Sequence, residues 1–194
     1  MSNNVGNPAI CYRISIISVV KHFPGHGDTS VDSHVQLPKV DKNWEQLSDM
    51  ELIPFKAAIE QGADAVMVAH ILLPKIDASL PSSLSKTVIT DLLRKQLGYD
   101  GVVMTDDMTM QAITNQYDIA DAAVKSVQAG SDIILIAHGY DDVVAAMQAM
   151  KSAVQHGKLT EQRIDESVKR IIRLKERTGK WDTGTGPSSR LGSS

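Results

Sequence analysis

Near-continuous apolar runs rich in β-branched residues recur four times, at Ile14 to His22, Ala65 to His70, Gly101 to Asp107 and Asp132 to His138. Runs of this kind, apolar on both faces, are the signature of buried strands in a parallel sheet. Between and after them the apolar positions recur at helical spacing, over Trp44 to Gly62, Lys86 to Gly98, Asp118 to Gly130 and Tyr140 to Gly157. Each of these segments ends in glycine, a common helix stop. A last amphipathic helix is predicted from Thr160 to Arg177, with Ile164, Val168, Ile171, Ile172 and Leu174 as its apolar stripe. The stretch from Lys180, containing TGTGPSSRLGSS, is rich in Gly and Ser and is expected to lack fixed structure.

Strand and helix in regular alternation imply right-handed βαβ units and an α/β fold with a parallel sheet. Two architectures follow, an open doubly wound sheet or a closed barrel. A complete (β/α)8 barrel has eight such units and typically about 250 residues, so four units amount to half of one.

Composition changes the picture mainly by exclusion. With 194 residues and 42% hydrophobic content the chain can bury one real core. A formal charge of −3 and a pI near 6.0 argue against nucleic acid or an anionic membrane as partner. The single cysteine, Cys11, leaves no intramolecular disulfide and no cysteine-rich zinc site. The start, MSNNVGNPAICYRISIISVV, does not have the order of a secretory signal, and no apolar run approaches the roughly 20 residues of a membrane helix, so a cytoplasmic location is expected.

The candidate chemistry gathers at the C-terminal ends of the predicted strands. Five of the six histidines, His22, His26, His34, His70 and His138, fall there or in the loop that follows, with Lys21, Asp28, Asp32, Asp106 and Asp107. That is the rim where barrels and open α/β sheets place their sites. The densest stretch, KHFPGHGDTSVDSH from Lys21 to His34, turns through Pro24, Gly25 and Gly27, which aims its polar side chains by backbone shape. Asp32 and His34 lie two apart, so the carboxylate can hold the imidazole and tune it for proton transfer; equally, Asp32 and Ser33 can cap the next turn. In GVVMTDDMTM, strand alternation sends Asp106 and Asp107 to opposite sides, one to the cleft and one to a cap, without choosing between them. Metal-assisted hydrolysis, phosphate binding at the Gly-rich loop and carboxylate nucleophilic catalysis all remain open on these residues.

KHFPGHG, then DSH, VMVAH, LPSSLSKTVITDLLRKQLGYDGVVMTDDMTM and GSDIILIAH together resemble bacterial β-N-acetylglucosaminidases of glycoside hydrolase family 3, from about Ile16 to Arg177. The resemblance implies a partial (β/α)8 barrel, strands five to eight with their helices, over 16–178, preceded by a non-matching segment 1–15 and followed by a tail 179–194. It implies a retaining hydrolase acting on N-acetylglucosamine-containing saccharides or muropeptides from peptidoglycan. In that scheme Asp106 is the nucleophile, His34 the acid/base supported by Asp32, and Lys21 and His22 bind the sugar. Asp107 caps or positions, and neither a cofactor nor a metal is called for. Using a histidine as acid/base leaves phosphate open as an acceptor in place of water. Half a barrel exposes strand edges, so self-association or a separate N-terminal half-barrel is the expected partner. The rival readings are a non-catalytic remnant, a sugar-binding fragment, and a metal-dependent hydrolase using His22, His26, His34 and the aspartates.

Overall fold

The computed structural model describes residues 16–26 and 37–177. Four parallel strands form the main sheet: β1 (Val19–Phe23), β2 (Ala65–Val68), β5 (Val102–Asp107) and β6 (Ile133–Leu135). They lie side by side in chain order, β1-β2-β5-β6. A doubly wound sheet reverses its strand order at a switch point. The described strands contain no such reversal.

Helices α1 (Trp44–Asp49) and α2 (Ile53–Glu60) link β1 to β2; α3 (Thr87–Gln96) links β2 to β5, and α4 (Gln111–Thr114) and α5 (Ile119–Ala129) link β5 to β6. Helices α6 (Tyr140–Gln155) and α7 (Glu161–Arg177) follow. The predicted helix from Trp44 to Gly62 is thus two. Pro54 sits in the first turn of α2, and a proline cannot continue a helix that already has a turn before it, because its ring meets the carbonyl four residues back. Helix α1 starts on a reciprocal cap: Asn43 Oδ1 accepts from the Gln46 N–H at 2.9 Å and Gln46 Oε1 from the Asn43 N–H at 3.0 Å. Helix α3 is wound with i to i+5 hydrogen bonds. Between β2 and α3 the chain also forms an antiparallel pair, β3 (Leu72–Leu73) with β4 (Asp77–Pro81), and a 3-10 turn at Ser82–Leu84, none of which the apolar pattern indicated.

The faces of the sheet differ. Val20, Val66 and Val103 point together under α2 and α3, where Phe55, Ile89 and Leu93 close a core with Phe23, whose ring meets Phe55 edge to face at 5.3 Å. Burying each such side chain contributes about 1.5–3 kcal/mol. On the other face Ala65, Val102 and Ile133 are covered by Ile171 and Leu174 of α7. Val19, in register with Ala65 on that face, is 40% exposed.

Helix α7 crosses the N-terminal ends of the strands and grips them one after another. Arg163 and Arg170 reach Asp132 at 3.4 and 3.3 Å, Arg170 and Arg173 reach Asp100 at 3.0 and 3.5 Å, and Arg177 pairs with Asp64. Those aspartates precede β6, β5 and β2. The Asp132 side chain is fully buried and also takes Arg94 of α3 at 2.6 Å, the Ser167 hydroxyl at 2.7 Å and the Val103 N–H at 3.0 Å. Asp64 also accepts from the N–H and hydroxyl of Ser18, both at 2.9 Å, which ties the entry to β1 to that of β2.

Candidate active site

The opposite ends of the strands carry the candidate chemistry. Lys21 is exposed at the end of β1, and the next residue, His22, is half-buried. The peptide bonds Lys21–His22 and Phe23–Pro24 are both cis. The Gly25 N–H returns to the His22 carbonyl at 2.8 Å and closes a turn directly after the strand. Gly25 has φ +113° and a Cβ there would lie 2.9 Å from Cβ of Glu51, so this turn is seated on buried Glu51, which pairs with Lys42. The ring of His26 stands edge-on to that of His22 at 5.8 Å.

Two strands away, β5 ends in the paired aspartates, and alternation separates them as expected. Asp106, on the face of Val102 and Met104, brings Oδ2 to 3.7 Å from His22 Nε2, with side chains 18% and 32% exposed. Asp107 turns the other way. Its Oδ1 accepts from the N–H groups of Thr109 and Ala137, each at 3.0 Å, and its Oδ2 from the Thr109 hydroxyl at 2.6 Å. It therefore links the loop after β5 to the segment after β6. Partial burial pushes its carboxyl up, but these hydrogen bonds and nearby His138 outweigh that and hold it below the usual range. The Asp107 N–H donates to Asp106 Oδ1 at 2.9 Å, which fixes the rotamer that presents Oδ2 to His22.

Burial lowers the pKa of His22, partly opposed by Asp106 and assisted by Lys21 and His26. It is therefore neutral near neutral pH, and an imidazole beside a carboxylate can then bind hydroxyl groups without neutralising that carboxylate. His70, just beyond β2, completes the rim from below. It is 1% exposed, with Nε2 2.9 Å from the Asp107 carbonyl and Nδ1 2.7 Å from Ser83 Oγ.

Of the sequence candidates, the structure brings Asp106 and His22 together, with Lys21 adjoining His22 in the chain. Asp28, Asp32 and His34 lie outside the described residues. Sequence reasoning gave His70 no individual role and missed Ser83 and Thr109. The signal available was VMVAHILL, an apolar run that a histidine interrupts without ending, which marks a buried, bonded ring. Among the described residues no group of three His, Cys, Asp or Glu side chains could hold a metal ion.

Residues 7–174 match the glycosyl hydrolase family 3 N terminal domain. The chain belongs to glycosyl hydrolase family 3. The match begins inside the segment 1–15 read from sequence as unlike the family. Among family members, β-hexosaminidase A of Pseudoalteromonas piscicida is 35% identical over 178 residues, which cover 82% of this chain and 30% of that protein. The solved family 3 β-N-acetylglucosaminidase from Paenibacillus sp. str. FPU-7 superposes with a TM-score of 0.85 at 44% identity, over 92% of this chain and 35% of that one. The β-glucoside phosphorylase BglX superposes with a TM-score of 0.80 at 27% identity, over 87% of this chain and 32% of that one. The chain thus spans less than half the length of these proteins. Its relatives include β-hexosaminidases, and its parallel α/β sheet matches part of the family's catalytic domain, in a family of TIM barrels.

Proposed function

We propose that this chain carries the reacting groups of a retaining β-N-acetylglucosaminidase, with Asp106 as nucleophile, His34 as acid/base supported by Asp32, and Lys21 and His22 as sugar-binding groups. The observation that carries the reading is the Asp106 carboxylate, turned to the inner face at a strand end and held there beside a neutral histidine. Retaining hydrolysis needs a carboxylate on one face of the anomeric carbon and a proton donor on the side of the leaving group. Asp106 attacks the anomeric carbon as the glycosidic bond breaks, and His34 gives its proton to the departing oxygen. Water, deprotonated by His34, then displaces Asp106 from the glycosyl-enzyme. Neutral His22 and exposed Lys21 bind the sugar hydroxyls. The substrate class proposed is an N-acetylglucosamine-containing fragment of peptidoglycan.

The four strands are read as strands five to eight of a (β/α)8 barrel, supported by their unreversed order and by the partial coverage of longer relatives. The remaining wall of the sugar site then comes from further strands, on more chain or on a partner. Likeness to a β-glucoside phosphorylase supports a second reading, with phosphate as acceptor in place of water.

The test is release of a chromogenic aglycone from a β-N-acetylglucosaminide, with and without added phosphate. Asp106→Ala is expected to lower turnover roughly 10³-fold or more. A fluorinated glycoside is expected to leave a covalent adduct on the peptide containing Asp106. Turnover that survives Asp106→Ala, or an adduct on another residue, would overturn the assignment, and acceleration by phosphate would select the phosphorylase reading.

A further inference from the structure

The proposed reaction uses no group below the rim, yet a line of buried polar groups ends on the main chain of Asp107, the residue after Asp106. The carbonyl oxygen of Asp107 only accepts hydrogen bonds, so the His70 nitrogen 2.9 Å from it, Nε2, carries the proton. In the neutral ring Nδ1 then accepts, and its partner at 2.7 Å, the Ser83 hydroxyl, donates. The Ser83 carbonyl accepts in turn from the Ser126 hydroxyl at 2.8 Å, and Ser126 Oγ lies 2.9 Å from Ser131 Oγ. All four side chains are at most 1% exposed. Burial lowers the His70 pKa against the opposing pull of the Asp107 carbonyl and of Asp106 and Asp107, in accord with a neutral ring.

A buried polar line of this length is costly unless every member is bonded, and when bonded it fixes the elements it joins. These residues join the tip of β2, the 3-10 turn, α5 and the residue before Asp132 and β6. Asp107 is then gripped from three directions: its carbonyl by His70, its carboxylate by Thr109 and Ala137, and its N–H by Asp106 Oδ1. A shift of the Asp107 main chain moves the N–H that sets the Asp106 rotamer.

We propose that His70 is a positioning residue for the Asp106 carboxylate, a neutral Nε2–H donor that anchors the Asp107 main chain and through it aims Asp106 at the inner rim. The inference deepens the hydrolase reading and rests on Asp106 as nucleophile. Its test uses the full chain as wild type, Asp106→Asn, His70→Leu, His70→Gln and Ser83→Ala, with two readouts. The first is the His22 imidazole titration by proton NMR. Of the groups acting on His22, Asp106 raises its midpoint while Lys21 and His26 lower it. Asp106→Asn therefore lowers that midpoint, and His70→Leu is expected to shift it in the same direction. The second readout is kcat against KM. His70→Leu is expected to lower kcat about 100-fold with little change in KM, the scale set by misplacing a reacting group by about 1 Å. His70→Gln, which returns an N–H donor, is expected to recover most of both.

A folded His70→Leu with the wild-type His22 midpoint and wild-type kcat overturns the proposal. So does equal loss in the Leu and Gln variants with an unmoved His22 midpoint, which assigns His70 to packing alone. If the wild-type chain releases no aglycone, the hydrolase reading fails while the His22 titration still decides the positioning role. If His70→Leu does not fold, Ser83→Ala takes its place, with a smaller shift in the same direction expected and no shift counting against the proposal.

Discussion

At the scale of single residues, the rim is set by which groups are charged. His70 is neutral because burial outweighs its hydrogen bond and the nearby carboxylates. An unfolded chain binds a proton at this position near the ordinary value of 6.5, and the folded chain binds it only at lower pH. Below 6.5 the unfolded state therefore holds more protons, so His70 subtracts stability progressively as pH falls towards the folded midpoint, and none above 6.5. The melting temperature of the wild type is expected to drop through that window more steeply than that of His70→Gln, as scanning calorimetry at a series of pH values would show; parallel curves would count against a neutral buried ring. Asp107 works in the opposite sense. Its carboxylate is held below the usual range, so the stability it contributes is present above that range and lost as pH falls through the lowered midpoint. Asp107→Asn is expected to cost about 1–3 kcal/mol in chemical denaturation, because a carboxamide loses the charge and presents one acceptor oxygen where three donors converge. Strand alternation was enough to say that one aspartate of the pair faces the cleft while the other caps. Choosing Asp106 took the resemblance; VMVAHILL marks His70 as a buried ring, but its partner was hidden because Ser83 lies thirteen residues further along.

The regular elements were the most legible, since strands announce themselves as apolar runs and helices through their period. The four main strands, the helix breaks at glycine and the long amphipathic stripe of α7 all follow from local pattern. Gly62, Gly98, Gly130 and Gly157 all adopt positive φ after a helix. At Gly130 the need is doubled, as a Cβ would lie 2.8 Å from Thr90 Oγ1. The β3–β4 pair was not legible, because β4, DASLP, is broken by polar residues and half-exposed and so has no apolar run to mark it. What went unread in plain view is a repeat: Gly-Ala-Asp at 62–64, Gly-Tyr-Asp at 98–100 and Gly-Ser-Asp at 130–132. The glycine ends a helix and the aspartate, directly or one residue ahead of the strand, waits for an arginine of α7. The links differ in worth because their burial differs. The Asp132 side chain is fully buried with three arginines, so Asp132→Ala leaves uncompensated charge in the interior and is expected to cost about 3–5 kcal/mol. Asp100 is 71% exposed, and Asp100→Ala is expected to cost no more than about 1 kcal/mol. Urea melts of the two variants would check the contrast, and similar losses would mean that the links share load evenly along α7.

At the scale of the whole molecule, the edges of the described sheet decide what it can join. Among the described residues β1 pairs only with β2 on its long side and β6 only with β5, leaving two parallel edges that run in the same direction. Helix α7 closes the inner face at its lower end, over Ala65 and Val102, but Val19 in the same layer stays 40% exposed and Ile16 just before it 52%. Open edges and apolar surface of this kind promote association. A two-fold axis along the sheet would set β6 of one copy beside β1 of the other in parallel, on both sides at once, and four strands from each copy would make the eight of a closed barrel. The purified chain is therefore expected to self-associate, with light scattering showing a mass that rises towards twice that of the chain as concentration increases. Val19→Lys separates this from loose stickiness. In the single chain the new ammonium reaches water beside the exposed Lys21, so the melting temperature at low concentration should hold. Closure would bury that charge without a partner, a penalty of several kcal/mol that the dimer cannot absorb. A wild-type chain that stays monomeric at every concentration would sink the idea. Association that survives Val19→Lys would move the contact off the inner face, to the exposed side chains of α6 or α7 such as Met147 and Val168.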